Sequence, residues 1–225
     1  PAGSIEAFEE ALQYGADAIY LGVGRFNARG DRAQLTQDDF PYLVSQARKY
    51  ACKLYLTLNI LFYDRELEEA LDLATYARDC GFHAVIVQDR GLMLKLRERV
   101  QGIDIHASSQ CTAGTKEAIL AYKNLGCSRV VFPRELSLEE ITELSAYAKS
   151  LQMETELFIH GALCFSVSGQ CHMSTFLGGR SANRGDCAQA CRKTYTLLQD
   201  GKEYREQQAW LSPKDLSTLP ILEDI

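Results

Sequence analysis

Four cysteines crowd into one short stretch of the chain: Cys164, Cys171, Cys187 and Cys191, separated by six, fifteen and three residues. Four thiolates on one irregular segment can hold zinc or an iron–sulfur cluster. Zinc ribbons favour two cysteines only two residues apart, and neither pair here has that spacing. Looser spacing lets the ligands approach a larger cluster from separate directions. Around the quartet stand Arg180, Arg184, Arg192 and Lys193, opposed only by Asp186. That local positive charge suits a phosphate backbone or an anionic small molecule, and equally offsets the charge of a cluster. Two histidines, His106 and His160, fall at the ends of apolar runs. With Gln110 and Glu135 they form a candidate catalytic set for orienting substrate or moving protons. A lone strand-end histidine is more often structural than catalytic. Cys111 lacks a histidine partner that would make it a nucleophile. No His-Glu-x-x-His, Gly-x-Ser-x-Gly or phosphate-loop pattern occurs.

These residues need a scaffold, and the first 160 positions supply a regular alternation. Short runs rich in β-branched and aromatic residues at 17–23, 53–60, 83–88, 103–107, 129–132 and 154–159 read as strands. Amphipathic stretches at 5–14, 39–50, 64–80, 115–125 and 137–150 read as helices between them. Ser137 and Glu140 form a capping box, and Asp64 is an N-cap candidate. Gly15, Gly81 and Gly126 stand where helices give way to strands. Strand–helix alternation with continuous apolar strands predicts a parallel sheet covered on its faces. No dinucleotide-binding glycine fingerprint opens the first helix. The expected fold is therefore α/β, a (β/α) TIM-type barrel, with polar residues gathered at its strand ends: Asn59, Gln88, Asp89, His106, Ser108, Gln110, Arg134, Glu135 and His160. A complete barrel of this type takes about 250 residues, so the expectation is a barrel truncated at both ends. Residues 1–160 are its units. Residues 161–211 are a cysteine-rich cluster loop and small excursion after the strand ending at His160, with short strands at 193–198 and 208–211. Residues 212–225 return to the barrel.

Composition narrows the function classes. The 225 residues are 46% hydrophobic and 24% charged, ordinary for a globular protein, with a formal net charge of −6. Bulk coating of nucleic acid is excluded, although a local basic patch is not. No run of about eighteen apolar residues is present, so no membrane helix is expected, and no signal peptide is visible. Cys52, Cys80, Cys111 and Cys127 are scattered singly; with the clustered quartet they point to a reducing cytoplasm and one metal or cluster site.

The segment ELFIHGALCFSVSGQC, from Glu156 to Cys171, resembles the signature of the U32 "collagenase-like" peptidase family. So do the opening PAGSIEAFEEALQYGADAIYLG, VIVQDRG, HASSQCT and the tail LSPKDLSTL, so the resemblance spans nearly the whole chain. Within the family, GRSANRGDCAQACR (179–192) is most similar to the bacterial branch that hydroxylates a cytidine of large-subunit ribosomal RNA. A related branch hydroxylates uridine in transfer RNA, and another assists ubiquinone hydroxylation. The resemblance implies an RNA hydroxylase taking its hydroxyl from prephenate, with a four-iron, four-sulfur cluster on Cys164, Cys171, Cys187 and Cys191. It leaves zinc or an empty site as the alternative for protein handled in air. It implies Arg180, Arg184 and Arg192 as ligands of RNA phosphate or prephenate carboxylates. RNA is the implied partner, ribosomal first and transfer RNA second, with a protein partner allowed. The alternatives are a peptidase, as the family is labelled, and a non-catalytic iron–sulfur subunit of a hydroxylation complex.

Overall fold

The computed structural model describes residues 1–224. Six strands form one parallel sheet in sequence order: β1 (Ala18–Leu21), β2 (Lys53–Leu58), β3 (Ala84–Val87), β4 (Asp104–Ala107), β5 (Arg129–Val131) and β6 (Glu154–Glu156). Strict sequence order with a helix in each crossover is the signature of a barrel-type winding. The sheet is curled into a half-barrel. The helices are α1 (Ile5–Gln13), α2 (Phe40–Lys49), α3 (Asp64–Cys80), α4 (Arg90–Arg99), α5 (Lys116–Asn124) and α6 (Leu138–Ser150), with α7 (Met173–Gly178) in the cysteine-rich segment.

Period-two alternation divides the strands between two environments. Leu54, Leu56 and Leu58 of β2 point with Val85, Val87, Ile105 and Val130 into the main core, against Phe8, Phe40, Leu71, Leu92 and Ile119 of the helices. The alternate residues Tyr55, Ala84 and Ile86 form a separate cluster on the inner face, with Tyr20 packed beside it. Helix ends follow local chemistry. Ser137 accepts from Glu140 N at 3.3 Å while the Glu140 carboxylate accepts from Ser137 N at 2.7 Å. Gly81 closes α3 at φ 112°, where a side chain would be strained.

Five points of the sequence reading are corrected. Helix α4 is an addition to the expected elements, its RGLMLKLRER sequence burying only Leu92, Met93 and Leu96. Asp89, read as a strand-end polar residue, is its N-cap, accepting from Leu92 N at 3.0 Å. At α3 it is Tyr63 that occupies the N-cap, not Asp64. The run at 154–159 leaves the ladder at Glu156, so His160 ends no barrel strand. It opens β7 (His160–Ala162), which pairs antiparallel with β10 (Asp215–Ser217), and its side chain is exposed. The excursion is a hairpin of β8 (Tyr195–Gln199) and β9 (Lys202–Gln208), so its second strand lies earlier than 208–211. Of the segment 212–225, Ile225 lies outside the described residues. Leu216, Thr218 and Ile221 sit beside Phe132, Leu157 and Phe158, next to the last strand of the sheet.

Candidate functional site

The C-terminal ends of the strands and the cysteine-rich segment enclose a cavity of about 300 Å³. Tyr20, Thr57, Asn59, Gln110, Arg134 and Phe158 contribute from the strand ends, Arg29 from the loop after β1, and Cys164, Ser168 and Gly169 from the segment above. Among the described residues no aspartate or glutamate lines it. Arg29 and Arg134 make no ion pair among the described residues. Burial raises the Tyr20 phenol above its ordinary value, with Arg29 and Arg134 opposing and nearby Glu156 adding to the rise. The Gln110 side-chain oxygen is buried without a hydrogen-bond partner. Two cations without an ion pair among the described residues, a phenol and an orphaned amide oxygen give a recess of small-metabolite size a positive character that complements an anion, with polar groups left for orientation.

The floor is braced locally. Buried Asn27 donates to Gly24 O at 2.8 Å and Val23 O at 3.3 Å and accepts from Arg29 N at 2.9 Å, while Asn59 accepts from Ala28 N at 3.0 Å. This fixes the backbone that presents Arg29. Arg134 lies over the Phe158 ring at 4.0 Å. Arg29 was not singled out from sequence. Its signal, a buried asparagine two residues before an arginine in the first βα loop, carries no recognisable motif.

The segment above is strapped down at several points. Ser168 donates its backbone N–H and, at 3.2 Å, its hydroxyl to the two Glu135 oxygens, and Thr112 donates to Ser168 O at 2.7 Å. A Cβ on Gly169 would stand 2.0 Å from Gln110 O. Leu61 N donates to Asn183 O at 3.0 Å, and Arg32 to Cys187 O at 2.8 Å. Arg184 grips the buried Glu66 of α3 with bonds of 2.8 and 3.0 Å and donates to Leu61 O at 2.6 Å.

Four expected site residues have partners within the chain. Glu135 holds the Ser168 backbone and is absent from the cavity lining. Arg184 is committed to Glu66, a buried pair that leaves it no charge for a ligand. Arg180 pairs with Asp186 at 2.6 Å, and Arg192 donates to Leu163 O at 3.2 Å with Asp215 at 3.7 Å. Both of these pairs are solvent-exposed enough to open at small cost.

His106 is displaced furthest from its expected role. It lies within β4, 2% exposed, in edge-on contact with Tyr55 at 4.9 Å. The recess beside it is lined by Lys53, Asp104, Arg129 and Glu154, near the N-terminal ends of the strands and away from the cavity above. Burial pushes the imidazole pKa down from 6.5 to about 4, with Arg129 and Lys53 adding and Glu154 opposing. The native state therefore refuses a proton that the unfolded chain accepts below pH 6.5. Its contribution is fully present above that value and is lost as pH falls towards 4. Between pH 7 and pH 5 the wild type should lose about 2 kcal/mol that His106→Phe does not lose. Urea unfolding at the two pH values measures it; equal losses would clear His106 of the effect. Glu154, held below the usual carboxylate range by Arg129, titrates beneath this window.

All eight cysteines are free. Burial raises the Cys191 thiol, and the thiolates of Cys164, Cys187 and Cys171 raise it further while Arg192 opposes. The quartet is thus gathered within electrostatic reach of one member. Among the described residues no three His, Cys, Asp or Glu side chains converge on a point that would hold a metal ion. One member of the quartet, Cys164, also stands in the cavity wall. Cys111 is a poor nucleophile: burial pushes its thiol up to about 12.

Residues 3–225 match the family model described as Peptidase family U32. The chain belongs to peptidase family U32. It is 41% identical over 216 residues to the "23S rRNA 5-hydroxycytidine C2501 synthase" of Escherichia coli (strain K12), covering 96% of this chain and 32% of that protein. It is 34% identical to the "tRNA hydroxylation protein P1" of Bacillus subtilis (strain 168), covering 97% and 53%. It is 33% identical to a "Collagenase" of Porphyromonas gingivalis (strain ATCC BAA-308 / W83), covering 99% and 56%. The chain thus spans from a third to just over half of the length of these curated U32 relatives. A solved U32 peptidase, Mk0906, superposes with a TM-score of 0.62 at 14% identity, covering 82% of this chain and 72% of that one, which shows the shared fold. Among the described residues no helix is long and apolar enough to cross a membrane.

Proposed function

We propose that this U32 chain carries the catalytic core of an RNA hydroxylase acting on a cytidine of large-subunit ribosomal RNA, with prephenate as hydroxyl source. The observation that carries the reading is the cavity itself. Arg29 and Arg134, without an ion pair among the described residues, face a recess that no described acidic side chain lines, and Cys164 of the thiol quartet stands in its wall. Prephenate is a dicarboxylate, and two guanidiniums are the complement such an anion needs. The relatives named as ribosomal and transfer RNA hydroxylation proteins support RNA as the other substrate. The reading carries with it a cytoplasmic location and membership of the six strands in a (β/α) barrel.

Cys164, Cys171, Cys187 and Cys191 would hold an iron–sulfur cluster, most simply of the four-iron type. Bound there, it would supply Lewis acidity or an electron at the cavity wall. The chain's own residues do the rest. Arg29 and Arg134 bind and orient the carboxylates, Gln110 and Asn59 offer amides to a hydroxyl, and the strapped segment excludes water from above. Glu135 acts as a positioning residue through Ser168.

The test is chemical. Protein purified without oxygen should contain iron and acid-labile sulfide, and with prephenate should add one oxygen to a cytidine of unmodified ribosomal RNA, read by mass spectrometry of nucleosides. Prephenate-independent gelatin cleavage by iron-free protein, with no RNA product, would instead establish the peptidase reading that the family label and the collagenase relative carry.

A further inference from the structure

Side chains on the outer surface of the cysteine-rich segment break the usual rule for aromatic residues. Phe176 of α7 is 89% exposed and Phe165 is 57% exposed, with Leu177 and Val167 also open to solvent. Most phenylalanines elsewhere in the chain are core: Phe8, Phe26, Phe40, Phe82 and Phe132 are all buried. The exposed pair is not on a frayed tail. α7 is closed by Gly179 at φ 67°, its Ser174 hydroxyl accepts from Ala188 N at 3.0 Å, and Thr175 donates to Arg180 O at 3.1 Å. An ordered, solvent-facing aromatic ring on a braced element has lost the benefit of burial and points to a partner.

Charge says which partner. Between residues 161 and 193 there are four basic side chains, Arg180, Arg184, Arg192 and Lys193, against Asp186 alone, in a chain of net charge −6. Arg184 is spent on Glu66, but Lys193 is exposed and joins no ion pair among the described residues, and the Arg180–Asp186 pair is exposed. An apolar protein partner would select an apolar surround. Aromatic faces set among cations match unpaired bases strung on a phosphate backbone. Phe165 directly follows Cys164, which lines the cavity, and Phe176 lies eleven residues further along the same segment.

We propose that Phe176 and Phe165 form a stacking platform for unpaired RNA bases, with Lys193 and Arg180 contacting the backbone. This rests on the RNA reading of the site and adds which residues hold the strand and that the strand must be unpaired. A base delivered to a recess of this size has to leave its stack, and an aromatic face offers its neighbours a replacement surface.

The experiment is fluorescence anisotropy at fixed ionic strength, with a fluorescein-labelled single-stranded RNA of mixed sequence and, separately, the same RNA annealed into a duplex. Phe176→Ala should weaken single-strand binding about tenfold and leave duplex binding unchanged, because a duplex has no free base faces. Phe176→Trp should restore the affinity. Since the ring packs on so little, the alanine variant should melt with the wild type. Tight single-strand binding by the wild type that is unchanged in Phe176→Ala would overturn the platform alone. Equal losses on both strand forms would also overturn it, leaving backbone electrostatics or a protein-docking role for Phe176. Absence of RNA binding by the wild type would overturn the RNA reading together with it.

Discussion

Gly169→Ala should detach the cysteine-rich segment from the strand ends and lower activity at least about 100-fold, while leaving the melting of the six-stranded unit nearly unchanged. Two independent costs fall on this one methyl. Gly169 sits at φ 74°, where a side chain is strained by about 1 kcal/mol. The added Cβ would also lie 2.0 Å from Gln110 O and 2.9 Å from Gln110 C. Both atoms are backbone, so no rotamer change relieves the clash. Opening the contact forfeits the Ser168 bonds to Glu135 and the Thr112 bond to Ser168 O, and with them one wall of the cavity. Hydrogen exchange checks the first claim: amides near Ser168 should lose protection while those of β2 and β3 keep theirs. Gly179→Ala is the control. It carries a similar φ of 67° with nothing within 4 Å, and should show the strain without the detachment. Unchanged protection at Ser168 in Gly169→Ala would show that the close approach is not what seats the segment.

The contrast between what sequence revealed and what it hid follows the range of the interactions. Strands β2 and β3 were legible because KLYLTL and AVIV announce burial within a few residues. Gly81 announced the end of α3 by a purely local need for positive φ. α4 was hidden because three buried residues in ten make a faint stripe, and β6 was overrun because Leu157 and Phe158 are apolar for another reason, their place beside Leu216. At the site, the quartet was legible from composition alone. Arg134 stands out only as one of several strand-end polar residues and Arg29 not at all, since nothing local distinguishes an unpaired arginine from a paired one. Arg184 shows the converse: its charge was visible, but its carboxylate lies 118 positions away. His106 was read as a strand-end group because its run of sequence is short, and only the sheet register reveals that it faces inward beside Arg129.

That distant carboxylate is where the second large effect is expected. Glu66→Ala should destabilise the protein by about 3 kcal/mol and loosen the segment that bears Cys187. Glu66 does three things at once. It accepts both guanidinium bonds of Arg184, it accepts from Tyr63 N at 2.9 Å to satisfy the first turn of α3, and it does so from a buried position. Arg184 beside it holds its carboxyl below the usual range. Its stabilising contribution is therefore present above the ordinary carboxylate pKa of about 4.3 and is lost as pH falls through the lowered native value. Removing Glu66 leaves the Arg184 guanidinium, mostly buried over Tyr63 at 4.1 Å, without its counter-charge. Arg184→Met should be nearly as damaging, since it abandons the more deeply buried carboxylate. The double variant Glu66→Ala/Arg184→Met should recover part of the loss, because no uncompensated charge remains. Urea unfolding of the four proteins closes the cycle. Additive losses would mean that the pair does not couple the segment to α3, and that the backbone contacts at Asn183 and Cys187 seat it without help.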